Sequence, residues 1–187
     1  MNSKIFFSIV VLGVCGALSY GDVHVPVEGG FVRNLSEYGF FQGTGYTQEP
    51  VDGVVPYDLN TPLFSDYTTK HRFIWLPPGT SAEYDARDVF AFPVGTAIIK
   101  SFGYLHDMRD PSQGEEIIET RVLIHRPDGW VGLPYIWNED KTDAVLKVAG
   151  GTKDIAWIHS DGSKRTNNYI IPNLNQCKSC HENADTM

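Results

Sequence analysis

Short stretches in which apolar and polar residues alternate dominate the chain from residue 70 onwards. In residues 70–76 the side chains at odd and even positions form two sets, as on the two faces of a strand. Pro77, Pro78 and Gly79 follow directly. A period of two predicts β-strands, and Pro or Gly marks where they end. The predicted strands are residues 70–76, 96–102, 120–125, 130–137, 155–159 and 168–171.

Turn signals join these strands into hairpins. Pro127-Asp128-Gly129 and Asp161-Gly162 each separate two strands, and Pro134 is expected to interrupt the second arm of the first hairpin. Residues 103–114 are predicted to form a loop, and residues 143–148 fit either a short helix or a strand. Short helices are predicted over residues 37–41 and at the C-terminus. The predicted fold class is therefore α+β, a mainly antiparallel β-sheet of hairpins with a few short helices.

The first residues have the pattern of an export signal. Lys4 precedes the apolar run 5–14, and Ala17-Leu18-Ser19 offers a cleavage site of small residues. The run is too short to span a bilayer. An alternative is a lipoprotein signal anchored at Cys15, although Val14 is larger than such sites usually carry. We expect a signal peptide over residues 1–19, one domain over residues 22–187, and a periplasmic or secreted protein.

The last part of the chain carries the sequence Cys177-Lys178-Ser179-Cys180-His181. Cys-x-x-Cys-His is the attachment signature of haem c, in which both thiols form thioethers and the histidine is the proximal iron ligand. A zinc site would need a fourth ligand, and no other cysteine or close histidine pair supplies an obvious one. A thioredoxin-type dithiol would begin a helix within a βαβ unit. We therefore predict one covalent haem c on Cys177 and Cys180, with His181 on the iron.

Charge and cysteine content agree with this interpretation. The formal charge is −8, and removal of Lys4 makes it more negative, which argues against nucleic acid or anionic lipid as a partner. A basic redox partner protein or a small ligand remains possible. Of the three cysteines, Cys15 leaves with the signal, so the mature chain keeps none beyond the motif. A domain stapled by disulfides would carry several more.

Two stretches carry a family resemblance beside the motif. The strand Phe-Pro-Val-Gly-Thr-Ala-Ile-Ile-Lys at residues 92–100 and the hairpin ending at Trp130 resemble the cytochrome c′-beta and cytochrome P-460 families. That resemblance implies an antiparallel sheet around one haem c near the C-terminus.

A second resemblance rests on other residues. Residues 56–67, 71–79 and 171–181 are similar to exported bacterial cytochrome-like proteins without an assigned reaction. Members of that group continue past the motif, so we expect this chain to be either a truncated version or a fragment.

The sixth iron ligand would decide the chemistry. Met108, His106 and His71 are distal candidates, each with an ordinary packing or surface role as the simpler interpretation. The resemblance implies a five-coordinate haem that binds nitric oxide or carbon monoxide, and in cytochrome P-460 a lysine linked to the porphyrin accompanies hydroxylamine oxidation. Lys100 is the candidate for that lysine by position, and a solvated edge-strand lysine is the alternative.

Two functions follow from these alternatives. The first is a redox or electron-transfer module, and the second is a five-coordinate protein that binds small ligands or oxidises hydroxylamine-like substrates. Whether the protein is an enzyme stays open. Glu115, Glu116 and Glu119 would supply carboxylates to such a reaction but are predicted to form a solvated acidic face.

Overall fold

A computed structural model describes residues 23–181, with side chains described as far as Cys177. The predicted signal peptide lies outside the described residues. The strands are β1 (Val54–Pro56), β2 (Thr69–Trp75), β3 (Ala97–Leu105), β4 (Glu115–Arg126), β5 (Gly129–Trp137), β6 (Ala144–Leu146), β7 (Gly151–Ile158) and β8 (Lys164–Ile171). One α-helix, α1 (Leu174–His181), follows β8, and 3-10 turns span Leu35–Tyr38 and Pro111–Gln113.

The strands form two antiparallel sheets. Six of them pair in the order β1-β2-β3-β4-β5-β6, so each strand lies beside its neighbour in sequence, and β7 and β8 form a separate hairpin. The two-residue connection from β4 to β5 is a tight turn, which can join only antiparallel neighbours, whereas β1 to β2 and β2 to β3 are joined by longer segments. The mainly antiparallel fold predicted from the sequence is confirmed.

The six-stranded sheet buries one face, called here the inner face. Phe73, Ile99, Val122 and Leu133 stand in register across four strands on this face, and all four are buried. Aromatic residues before β1 pack over them, among them Tyr38, which stacks on the next aromatic ring of its segment. This alternation of buried apolar residues is the reason that the strands adopt their register.

The opposite, outer face of the sheet is covered unevenly. At one end the β7–β8 hairpin packs on it, with Trp157 and Tyr169 against Tyr104 and Ile118. Further along, α1 packs on β5. The strip of outer face between these two coverings carries charged side chains.

A β-bulge determines which side chains reach that strip. Phe102 pairs with Glu119 and Gly103 with Ile117, so Ile118 is an extra residue in β4. A bulge places two consecutive residues of one strand opposite one residue of its partner. Ile118 and Glu119 therefore both lie on the outer face. Ile118 packs there into a second core, the apolar cluster under the β7–β8 hairpin that includes Tyr104, Trp157 and Tyr169.

Several element boundaries differ from the sequence predictions. Pro134 does not interrupt its hairpin, because it pairs with Arg121 within a continuous β5 and its carbonyl accepts from Lys147 N. The first turn begins at Leu35 with Asn34 as its cap, two residues earlier than predicted. β3 extends to Leu105 into the predicted loop. The ambiguous segment 143–148 contains a short strand, β6.

Candidate functional site

Helix α1 begins with a reciprocal cap that its sequence explains. The Asn173 side-chain oxygen accepts from Gln176 N at 2.9 Å, and Gln176 Oε1 accepts from Asn173 N at 2.9 Å. This is a capping box, which satisfies amide groups that the first turn leaves without partners. Pro172, which cannot donate an amide hydrogen, precedes it. The backbone of the Cys-x-x-Cys-His sequence is helical as a result.

Cys177 is the motif residue whose side chain is described, and it is buried at 3% exposure. It packs over Gly132 of β5, on the outer face of the sheet. A Cβ added to Gly132 would lie 2.8 Å from Cys177 Cβ, which is closer than real Cβ atoms approach. Glycine at this position therefore permits the close contact between α1 and β5.

We expect Gly132→Ala to lower the free energy of unfolding by about 1 to 3 kcal/mol, because the added methyl group overpacks the contact with Cys177. Gly30→Ala is the matched control, since a Cβ there meets nothing within 4 Å. Urea unfolding of both variants checks the prediction. Equal stabilities of the two variants would show that α1 does not pack on β5 in this way.

Beside the N-terminal end of α1 lies an open cleft of about 350 Å³. Its lining combines apolar side chains, Phe31, Trp130 and Leu174, with Arg126 and Asp128, whose charged groups lie 3.9 Å apart. The Trp130 ring stacks on His125 with their planes at 6°, and Arg126 lies over the Phe31 ring. Such a cleft offers an apolar wall and one cation to a ligand.

A row of cations crosses the outer face between α1 and the edge of the sheet. Arg72, Lys100 and Arg121 are direct partners on β2, β3 and β4. The Lys100 ammonium and the Arg121 guanidinium both lie over the Phe102 ring, at 4.9 and 4.2 Å from its centroid. Arg121 pairs with Pro134 of β5, two residues from Gly132, on which Cys177 packs. The row therefore reaches the motif helix.

Glu119 pairs with Arg121 at one end of this row. It is fully buried, so its predicted place on a solvated acidic face is wrong. It lies on the outer face two residues before Arg121, whose Nε donates to Glu119 Oε2 at 3.1 Å, and the Tyr169 hydroxyl donates to Glu119 Oε1 at 2.7 Å. Burial lowers the pKa of Arg121, but the hydrogen bond and charge of Glu119 raise it above its usual value. Glu119 and Arg121 thus form a buried ion pair.

Lys100 has no such partner within the described part of the chain. Burial, followed by the charges of Arg72, Arg121 and Lys70, lowers the pKa of Lys100 to about 8. Its ammonium form is therefore destabilised in the folded protein. This penalty is fully present below pH 8 and disappears as the pH rises towards the ordinary lysine value of 10.5.

We expect Lys100→Met to be more stable than the parent chain at pH 7 by about 1 to 2 kcal/mol, a value reduced from the full pKa shift because the side chain is partly exposed to solvent. The difference should shrink between pH 8 and pH 10.5. Urea unfolding at both ends of this range, in buffer without phosphate, measures it. Lys147→Met, at an exposed lysine, is the control, and an identical pH dependence in both variants would contradict the assignment.

The structure places the other predicted distal candidates outside the row of cations. His71 belongs to the inner face, where its Nε2 lies 2.5 Å from Glu115 Oε1. His106 is exposed in the segment after β3, and Met108 packs against the second core. Lys100 is the one of the four that belongs to the row of cations.

Register explains why the sequence alone did not identify this site. Arg72 and Arg121 each occupy a polar position of an alternating strand, which is also the pattern of a solvated face. Only strand pairing brings them beside Lys100. Gly132 carries no signal of its own in the sequence.

Within the described residues, no helix is long and apolar enough to cross a bilayer. In the same part of the chain, no group of three His, Cys, Asp or Glu side chains is placed to hold a metal ion. The side chains of Cys180 and His181 lie outside the described ones. Comparison of the chain with protein-family models, with curated proteins and with solved structures gave no match.

Proposed function

We propose that this chain is an exported haem c protein that acts as a redox or electron-transfer module. The observation that carries the proposal is the Cys177-Lys178-Ser179-Cys180-His181 sequence on α1. Cys177 and Cys180 would hold the haem covalently, and His181 would be its proximal iron ligand. A bound haem supplies a redox-active iron whose potential depends on axial ligation and burial.

The residues around Cys177 fit such a group. The close approach at Gly132 fixes one motif cysteine on the outer face of the sheet. Beside α1, the cleft with Trp130 and Leu174 offers apolar surface to a porphyrin, and Arg126, which lies 3.9 Å from the exposed Asp128, is the cation in its lining. The chain's own contribution would be to attach the haem, to shield one side of it from water and to balance its charge.

A second candidate function is a five-coordinate haem protein that binds nitric oxide or carbon monoxide. The position of the distal candidates favours it, because His71 lies on the inner face and Met108 packs in the second core. Lys100 has a lowered pKa, which gives it more of the neutral amine form than an ordinary lysine has. Oxidation of hydroxylamine-like substrates belongs to this second candidate.

Visible spectra of the protein expressed with haem-maturation machinery separate the candidates. Sharp bands in the reduced state, unchanged by carbon monoxide, support the electron-transfer module and exclude an open iron. A broad spectrum that shifts when carbon monoxide is added supports the five-coordinate protein. Absence of haem after such expression would overturn both.

A further inference from the structure

Four cations share the outer face of the six-stranded sheet. They lie between the β7–β8 hairpin and the edge of that sheet. Lys70 and Arg72 belong to β2, Lys100 to β3 and Arg121 to β4. Because neighbouring strands lie about 4.8 Å apart, the three paired residues Arg72, Lys100 and Arg121 form a row about 10 Å long. Lys70 lies two residues before Arg72 and so on the same face.

The carboxylates near this row do not balance its charge. Asp58 Oδ1 accepts from Arg72 Nη1 at 2.9 Å, but the Asp58 side chain is 84% exposed. Glu119 pairs with Arg121. Among the described residues, Lys70 and Lys100 form no ion pair. The row therefore has two cations without a carboxylate partner.

The Arg72 side chain carries a buried hydrogen-bond donor. The side chain is 4% exposed, and its Nε, which is buried, has no hydrogen-bond partner among the described residues. A buried guanidinium N–H without an acceptor is unfavourable, so proteins usually provide one. An open cleft of about 400 Å³ lies along Lys70 and Arg72, with Leu63 and Phe64 at its wall. Asp58 also lines this cleft, which leaves room for a ligand beside Lys70 and Arg72.

We propose that the row of Lys70, Arg72 and Lys100 is a binding site for an oxyanion, either a carboxylate or a phosphate group. Guanidinium and ammonium groups bind such anions through charge-assisted hydrogen bonds. Arg121, already paired with Glu119, adds positive potential and holds the Phe102 ring beneath the row.

The anion has two sources with the same chemistry. One is a propionate of a haem attached to α1, an assignment that rests on the proposed function. The other is a free anion from solution, which does not. The row extends toward Cys177, since Arg121 pairs with Pro134, two residues along β5 from Gly132, on which Cys177 packs.

Calorimetric titration with inorganic phosphate tests the site in two forms of the full chain, the haem-loaded protein and the Cys177→Ala/Cys180→Ala variant. Phosphate binding to the Cys177→Ala/Cys180→Ala variant but not to the haem-loaded protein supports occupancy of the row by a haem propionate. Binding to both forms supports a free anion. Absence of binding to both, with unchanged circular dichroism, would overturn the proposal. If no covalent haem is found in the parent chain, phosphate binding remains expected, so the two proposals fail separately.

Substitutions assign the binding to the row. Lys100→Met should weaken phosphate binding about 10- to 100-fold, the loss of one charge-assisted hydrogen bond. Lys164→Met, at an exposed lysine of β8, should leave it unchanged. A rise of the thermal midpoint with phosphate provides a second measurement if calorimetric heats are small. Equal binding by both variants would place the anion elsewhere and refute the assignment.

Discussion

Replacing Glu119 with alanine is expected to lower the free energy of unfolding by about 3 to 5 kcal/mol. Glu119 is fully buried and accepts hydrogen bonds from both Arg121 and Tyr169. Its removal leaves the largely buried Arg121 charge without a partner beside Lys100, which already lacks one. Breaking a buried pair at one side is destabilising because the remaining charge keeps its desolvation penalty.

Glu116→Ala is the matched control for this substitution. Glu116 is an acidic residue of the same strand, and it pairs with Lys153 at 2.7 Å, where both side chains are partly exposed. Such surface pairs contribute about 1 kcal/mol or less. Urea unfolding should therefore show a clear difference between the two variants. Losses of similar size would mean that Glu119 is not buried with Arg121.

The second large effect concerns the motif itself. We expect Cys177→Ala/Cys180→Ala to abolish covalent haem completely, because no thiol remains to form a thioether. Ser179→Ala, which changes a variable position between the two cysteines, should leave attachment intact. Haem-stained denaturing gels of the periplasmic fraction measure both variants. Covalent haem retained in the double variant would refute the assignment of these cysteines.

The strands were predictable because each needs only local information. The alternation in residues 70–76 and 120–125 predicts strands within a few residues of β2 and β4. The turn at Asp128 and Gly129 likewise predicts the β4–β5 hairpin. A period of two follows directly from the geometry of a strand with one buried face.

The candidate site was less predictable because it depends on register between strands. The bulge places Ile118 and Glu119 on the same face, and no residue type marks that bulge in the sequence. The row formed by Arg72 and Lys100 likewise exists only through pairing. By contrast, the Cys-x-x-Cys-His sequence is local and was visible at once.

The intact mass of the protein purified from the periplasm under denaturing conditions tests the haem assignment most directly. We predict the mass of the chain cleaved near Ser19 plus one haem, which denaturation cannot remove from thioether bonds. The mass of the polypeptide alone, after expression with maturation machinery that loads a known haem c protein in parallel, would contradict it.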